Sequence, residues 1–283
     1  GIAGRTEATG RGVQYALQEF FRHEKDVAKS GLSATLADKR IIVQGLGNVG
    51  YHAALFLSQE DGARITHVLE RGGTVIDADG IDIKGLGKHM LETGGIADFP
   101  GFTKNGAEML EAEADILIPA AMEGVIDEQN APRIRTPLII EAANGPITAG
   151  GDASLRDRGI IIIPDLYANA GGVTVSYFEW IKNLTHIRFG RMQKRQSENQ
   201  FQALIHGIEA MTGKEFPQTQ HDTVVSGATE IDLVRSGLED TMLGAYDTIS
   251  KVWNSDSRVH DLRTAAMLIA VGRVAHSYTS LGI

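Results

Sequence analysis

The sequence lacks cysteine, long apolar runs and an excess of basic residues, and each absence removes a class of protein. Without cysteine there are no disulfides, thiol nucleophiles or thiolate zinc sites, which fits a reducing, cytoplasmic setting. No run of about 18 apolar residues is present, so we expect no membrane partner. A formal net charge of −9 argues against a nucleic-acid partner, because phosphate backbones require a basic face. The nine histidines lack a His-Glu-x-x-His spacing, so we expect no metal site.

The length and composition fit a globular protein with a sizeable core. The 283 residues are 42% hydrophobic and 22% charged, enough for one large α/β domain or two small ones. The chain opens at Gly1 without an initiator methionine or a preceding element. We therefore expect it to be a piece of a longer protein.

Apolar spacing alternates between strand type and helix type along the first part of the chain. Short buried-strand runs lie at 40–44, 63–69, 74–76, 115–118, 138–141 and 160–163. Helical spacing occurs at 9–29, 48–60, 173–184, 197–212, 231–253 and 258–280, whereas 213–230 is polar and turn-rich. This alternation predicts an α/β fold with a doubly wound, mainly parallel sheet and a helical C-terminal part.

A glycine-rich turn of the form G-x-G-x-x-G occupies residues 45–50. Gly45 permits the tight turn, Gly47 lets the backbone approach a pyrophosphate, and Gly50 allows close helix–strand packing. The turn follows a predicted strand, opens a predicted helix and precedes Glu70 by about 20 residues. The following helix N-terminus also offers free N–H groups to phosphates. The pattern therefore predicts a dinucleotide site.

The residues after the second strand bear on which dinucleotide binds. Glu70 can accept hydrogen bonds from the adenosine ribose and repel a 2′-phosphate, which favours NAD. Arg71 can pair with that phosphate, or it can be an ordinary solvated charge. We predict NAD and leave NADP possible.

Two amides, Asn144 and Asn169, close two successive apolar runs, and a Gly171-Gly172 pair then opens a helix carrying Ser176. This pattern resembles glutamate dehydrogenases. The resemblance covers nearly the whole chain, through segments at 4–13, 45–50, 114–121, 142–147, 163–180 and 262–266.

The resemblance implies that this chain is the cofactor half of such an enzyme, with a Rossmann-type fold. In the family, an N-terminal domain supplies the lysines and the aspartate of catalysis. We therefore expect no catalytic residue in this chain, and we expect the chain alone to be inactive. Asp165 resembles a structural residue of the family and is not assigned a catalytic role.

The resemblance also implies individual roles. The implied cofactor-binding residues are Thr9, Gly45, Gly47, Asn48, Val49, Glu70, Ala120, Ala121, Asn144 and Asn169. The implied substrate-binding residues are Arg5, Val173 and Ser176. Structural explanations compete at several positions: Thr9 as a helix N-cap, Val173 as core, and Ser176 bonding back to a carbonyl one turn earlier.

The implied reaction is oxidative deamination of L-glutamate to 2-oxoglutarate and ammonium, with hydride transfer to NAD(P). The implied complete enzyme is a homo-oligomer, a hexamer in the family. One alternative is the coenzyme domain of a leucine, valine or phenylalanine dehydrogenase. Another is a non-catalytic module that senses NAD.

The stretch 184–230 resembles the antenna of animal glutamate dehydrogenases at its flanks. We predict a dinucleotide-binding domain at 1–183 and 231–283, with 184–230 as an antenna-like helical insertion. We expect this insertion to contain a helix and a less regular returning strand that meets neighbouring subunits. Its predicted apolar stripe is Phe201, Leu204, Ile205 and Ile208. An ordinary exposed helical excursion is the alternative.

Overall fold

The computed structural model describes residues 1–104, 106–186, 191–225 and 228–282. The chain divides into two compact units. The sheet unit comprises Thr6–Val173 and Glu239–Ile283, and the helical unit comprises Gly1–Arg5 and Thr174–Leu238.

The sheet unit is built on one seven-stranded sheet. Its strands are β1 (Arg40–Gln44), β2 (Arg64–Glu70), β3 (Gly73–Ile76), β4 (Phe102–Thr103), β5 (Ile116–Pro119), β6 (Leu138–Ile140) and β7 (Ile161–Ile163). They lie in the order β4-β3-β2-β1-β5-β6-β7. Strands β2, β1, β5, β6 and β7 are parallel, and β3 and β4 run antiparallel at one edge. The predicted α/β fold with a mainly parallel sheet is confirmed.

Eleven α-helices lie within the described ranges. They are α1 (Ala8–Arg22), α2 (Glu24–Ser30), α3 (Asn48–Gln59), α4 (Ile83–Thr93), α5 (Ala149–Asp157), α6 (Asp165–Ala168), α7 (Gly171–Thr185), α8 (Arg191–Thr212), α9 (Gln218–Val225), α10 (Glu230–Ser255) and α11 (Leu262–Leu281). None of these helices is both long enough and apolar enough to cross a membrane.

The strands form the centre of the core because their side chains are apolar on both faces. Ile41, Ile116 and Ile139 are fully buried, and so are Leu17 and Phe20 of α1. The apolar side chains that give this helix its helical spacing therefore form the face that packs inward.

Helices α4, α5 and α6 were not predicted individually, and three further elements differ from the sequence prediction. The helix expected at 9–29 is two helices, because His23 has non-helical backbone angles (φ −94°, ψ 88°) that end α1. The stretch 213–230 contains helix α9, although its polar composition predicted turns. Strand β4 was missed because two residues are too few to show a period.

The helical unit contains most of the predicted insertion at 184–230. Residues 187–190 and 226–227 of that insertion lie outside the described residues. The expected helix is α8, but the returning segment contains helix α9, so the expectation of a strand there is wrong. In the predicted stripe Ile205 is buried, whereas Phe201, Leu204 and Ile208 are 39%, 57% and 40% exposed. The projection of this segment and its contacts with neighbouring subunits remain predictions.

A buried carboxylate ties α2 to α10 within the sheet unit. Asp26 is fully buried and accepts hydrogen bonds from the Tyr246 hydroxyl (2.9 Å), the Ser250 hydroxyl (2.6 Å) and Asn254 Nδ2 (2.7 Å). Burial and the charge of Asp26 raise the pKa of Tyr246, so its hydroxyl keeps the proton that it donates. Three donors to one buried anion form a strong local link.

We predict that Asp26→Ala lowers the free energy of unfolding by on the order of 3 kcal/mol, because buried donors lose their acceptor. Asp247→Ala is the matched control: this half-exposed α10 carboxylate pairs with Lys251, so its loss should cost less than about 1 kcal/mol. Urea denaturation of both variants measures the difference. Equal small losses would contradict a stabilising role for the buried network.

Candidate functional site

A cleft of about 690 Å³ lies at the carboxyl ends of the parallel strands in the sheet unit. From β1 the chain continues to β2 on one side, while β5 lies on the other side of β1. The loops that follow β1 and β5 therefore diverge and leave a crevice, the usual ligand position in open α/β sheets. Five of the predicted cofactor residues line it: Gly45, Gly47, Glu70, Ala120 and Ala121.

The glycine turn has the geometry that the motif predicts. Gly45 has a positive φ of 89°, and a Cβ there would lie 2.5 Å from the Cβ of Ala121. A Cβ on Gly50 would overlap the carbonyl oxygen of Gly45. A Cβ on Gly47 would meet no protein atom within 4 Å, so the backbone there faces open space. The turn therefore leaves room for a group to approach the backbone at Gly47.

Helix α3 begins directly at this turn. Its N-cap is Gly47, and no side chain caps its first N–H groups. Those N–H groups and the helix dipole make the position suitable for an anion. Asn48 is exposed and its amide donates to the carbonyl of Thr6 (2.7 Å), while Val49 is half-buried.

Glu70 lies beside the glycine turn. It is the last residue of β2, and its carboxylate accepts a hydrogen bond from the Leu46 N–H (2.5 Å). Arg71 and Lys104 line the same cleft. The sequence pointed to Arg71 but not to Lys104, which belongs to no motif. The pairing of β3 with β4 brings Lys104 next to Gly73, and two strand residues gave too little signal to predict that pairing.

The two predicted asparagines contact each other. Asn169 Nδ2 donates to Asn144 Oδ1 (2.8 Å) and to the carbonyl of Ala143 (3.4 Å). Asn144 is exposed and follows β6 closely, but Asn169 does not follow β7 directly. The short helix α6 intervenes, since Pro164 acts as the N-cap that starts a helical turn.

Gly171 begins helix α7, as the sequence predicted. A Cβ on Gly12 of α1 would lie 2.9 Å from the Cα of Gly171, so glycine is needed for close packing here. Thr9 is half-buried in the first turn of α1, whose N-cap is Glu7. The N-cap explanation of Thr9 is therefore wrong.

The predicted substrate residues are divided between the two units. Val173 belongs to the sheet unit and is 69% exposed, so it is not a core residue. Arg5 and Ser176 belong to the helical unit, where Arg5 is exposed and Ser176 is half-buried.

Known proteins are similar in sequence to most of this chain. The Glutamate/Leucine/Phenylalanine/Valine dehydrogenase family matches residues 1–235. A probable glutamate dehydrogenase of Sinorhizobium fredii is 47% identical over 97% of this chain and 62% of its own length. The mitochondrial glutamate dehydrogenase of Dictyostelium discoideum is 46% identical over 100% of this chain and 56% of its own length. The chain thus spans little more than half of the curated relatives it matches.

Solved structures share the fold. The hetero-hexameric glutamate dehydrogenase of Thermus thermophilus superposes with a TM-score of 0.73 at 24% identity, over 99% of this chain and 55% of that one. Glutamate dehydrogenase of Peptoniphilus asaccharolyticus superposes with a TM-score of 0.65 at 25% identity, over 100% and 55%. With the match over residues 1–235, the chain belongs to the Glutamate/Leucine/Phenylalanine/Valine dehydrogenase family.

Proposed function

We propose that this chain is the coenzyme-binding part of a glutamate dehydrogenase and binds a nicotinamide dinucleotide in the cleft of the sheet unit. The observation that carries the proposal is the common location of three features. The glycine turn follows β1, Glu70 ends β2, Asn144 follows β6, and Asn169 lies one short helix beyond β7, so all belong to the carboxyl edge of the parallel strands. This edge is where such sheets bind ligands.

Each part of the edge has a proposed task. The uncapped N–H groups at the start of α3 hold the pyrophosphate, and Glu70 accepts hydrogen bonds from the adenosine ribose. Ala120 and Ala121 flank the path of the dinucleotide. Asn144 and Asn169, together with Thr9, orient the nicotinamide end.

The bound nicotinamide would supply the hydride acceptor, and the proposed reaction of the complete enzyme converts L-glutamate to 2-oxoglutarate and ammonium. Arg5, Val173 and Ser176 are the proposed substrate-facing residues of this chain. We assign no catalytic residue to it, because its proposed role is to position cofactor and substrate. The proposed setting is the cytoplasm.

Glutamate is favoured over a branched or aromatic amino acid because the two curated relatives at 47% and 46% identity are named glutamate dehydrogenases. A leucine, valine or phenylalanine substrate is the alternative within the family. A non-catalytic role in NAD sensing is the alternative outside enzymes.

Assembly into a homo-oligomer is supported by exposed apolar faces in both units. In α8 these are Phe201, Leu204 and Ile208. Helix α11 carries five apolar residues at helical spacing, each more than half exposed: Met267, Val271, Val274, Tyr278 and Leu281. Exposed apolar faces of this kind usually mark contacts with another polypeptide. A hexamer is the proposed state of the complete enzyme.

The proposed cofactor is NAD, with NADP as the alternative. Glu70 disfavours a 2′-phosphate by charge repulsion, whereas Arg71 and Lys104 in the same cleft favour one. Relatives at lower identity include NADP-specific enzymes of Halobacterium salinarum and Saccharolobus shibatae. We favour NAD because Glu70, which is hydrogen-bonded to the glycine turn, is placed to meet the adenosine ribose.

We predict that the chain binds NADH more tightly than NADPH in calorimetric titrations. Glu70→Ser should reduce the ratio of the NADH affinity to the NADPH affinity by about tenfold, which corresponds to about 1.4 kcal/mol of binding free energy. Glu113→Ser is the control, because this exposed carboxylate pairs with Arg40 at the amino end of the strands. Tighter binding of NADPH by the unaltered chain would mean that Arg71 and Lys104, and not Glu70, determine the cofactor preference.

We also predict that the chain alone does not oxidise glutamate at saturating glutamate and NAD. The physical reason is that the proposed catalytic groups lie outside its residues. The appearance of NADH, followed by its absorbance, measures the rate. Turnover within the usual enzyme range of about 1–1000 per second would mean that a catalytic set lies within these residues.

A further inference from the structure

A partly buried network of ion pairs in the sheet unit joins Arg263 to carboxylates next to the turns that carry Asn144 and Asn169. Arg263, in the first turn of α11, reaches three carboxylates. Its guanidinium donates to Glu141 Oε1 (2.8 Å), Asp152 Oδ1 (3.2 Å) and Asp165 Oδ1 (3.4 Å). Glu141 is fully buried directly after β6, and Asp165 begins α6 after β7. One arginine therefore links the ends of two neighbouring strands.

The network continues into the asparagine turns through two backbone N–H groups. Glu141 Oε2 accepts from the N–H of Asp165 (2.8 Å). Asp165 Oδ2 in turn accepts from the N–H of Gly145 (2.8 Å), the residue next to Asn144. Asn144 accepts a hydrogen bond from Asn169. A chain of hydrogen bonds therefore runs from Glu141 through Asp165 and Gly145 toward the two asparagine side chains.

The charge state of the network is set by Arg263. Burial raises the pKa of Glu141, and the hydrogen bond and charge of Arg263 partly offset that rise. Burial alone would lower the pKa of Arg263, but its bonds and charges with Glu141 and Asp152 raise it overall. The guanidinium is therefore charged, and it compensates a carboxylate that would otherwise be buried without a cation. Asp152 has a second cation, Arg156, at 2.7 Å.

We propose that Arg263 is a positioning residue which, through Glu141 and Asp165, sets the geometry of the Asn144 and Asn169 amides that receive the nicotinamide end of the cofactor. This inference rests on the proposed function of the cleft. The turn at Gly145 has a positive φ of 51°, and its N–H donates a hydrogen bond to the Asp165 carboxylate, so displacing Asp165 releases that turn. Ligand-facing groups depend on such supporting bonds for their orientation.

A comparison of two ligands separates positioning from general stability. ADP-ribose carries the adenosine, the pyrophosphate and the second ribose of NADH but lacks the nicotinamide ring. The glycine turn and Glu70 serve both ligands, whereas amides that receive the nicotinamide ring serve only NADH. A loss confined to NADH therefore reports the geometry of the amides, and a loss of general stability affects both ligands.

The experiment is calorimetric titration of the chain with NADH and with ADP-ribose. Arg263→Met should weaken the affinity for NADH by about tenfold, in line with typical effects of supporting residues. The affinity for ADP-ribose should change by less than about twofold. Arg156→Met is the matched control: it also removes an arginine from Asp152, but Arg156 makes no described bond to Glu141 or Asp165. It should leave both affinities unchanged.

A second variant keeps the test decisive if Arg263→Met does not fold. Glu141→Gln retains an oxygen for the N–H of Asp165 but sets an amide donor against the guanidinium of Arg263. It should show the same selective loss of NADH affinity, by a smaller factor.

Equal losses of NADH and ADP-ribose in Arg263→Met and Glu141→Gln, or no loss of either, would overturn the positioning role while leaving the proposed cofactor site intact. A different result would remove the proposed function itself. If the unaltered chain binds ADP-ribose as tightly as NADH, or binds neither, then the amides do not receive a nicotinamide. The positioning role then fails with it.

Discussion

The parallel alignment of five strands is the constraint on which the candidate site depends. Because β2, β1, β5, β6 and β7 run in one direction, their carboxyl ends meet along a single edge of the sheet. Residues far apart in the chain thereby lie along the same edge: the turn after β1, Glu70 at the end of β2, Asn144 after β6 and Asn169 beyond the short helix α6. The reversal of strand order between β1 and β5 opens the cleft at this edge.

Close backbone approach completes the edge. Gly45 and Gly50 let the turn after β1 fold tightly beside Ala121, so that α3 starts with uncapped N–H groups next to open space. Gly12 lets α1 approach the start of α7 at Gly171. Any side chain at these positions would displace the helices that present the polar groups. The cleft therefore combines closely packed backbone with three charged side chains, Glu70, Arg71 and Lys104.

Sequence patterns predicted the features that are local in the chain. The buried strands, the glycine turn and Glu70 each have a period, a motif or a fixed spacing. Lys104 and the network of Arg263 have none, because they depend on pairing between segments that lie far apart. The break at His23 was missed for a related reason. The apolar spacing continues across it, and only the backbone angles of one residue end the helix.

A crystal structure of this chain with NAD bound would show where each part of the dinucleotide lies. We expect the pyrophosphate at the start of α3, the adenosine ribose at Glu70 and the nicotinamide end within hydrogen-bonding distance of Asn144 or Asn169. Such distances are about 2.7–3.2 Å between heavy atoms. A dinucleotide bound away from the carboxyl edge of the sheet, or bound there with its nicotinamide at Glu70, would show that the glycine turn and the asparagines do not have the proposed roles.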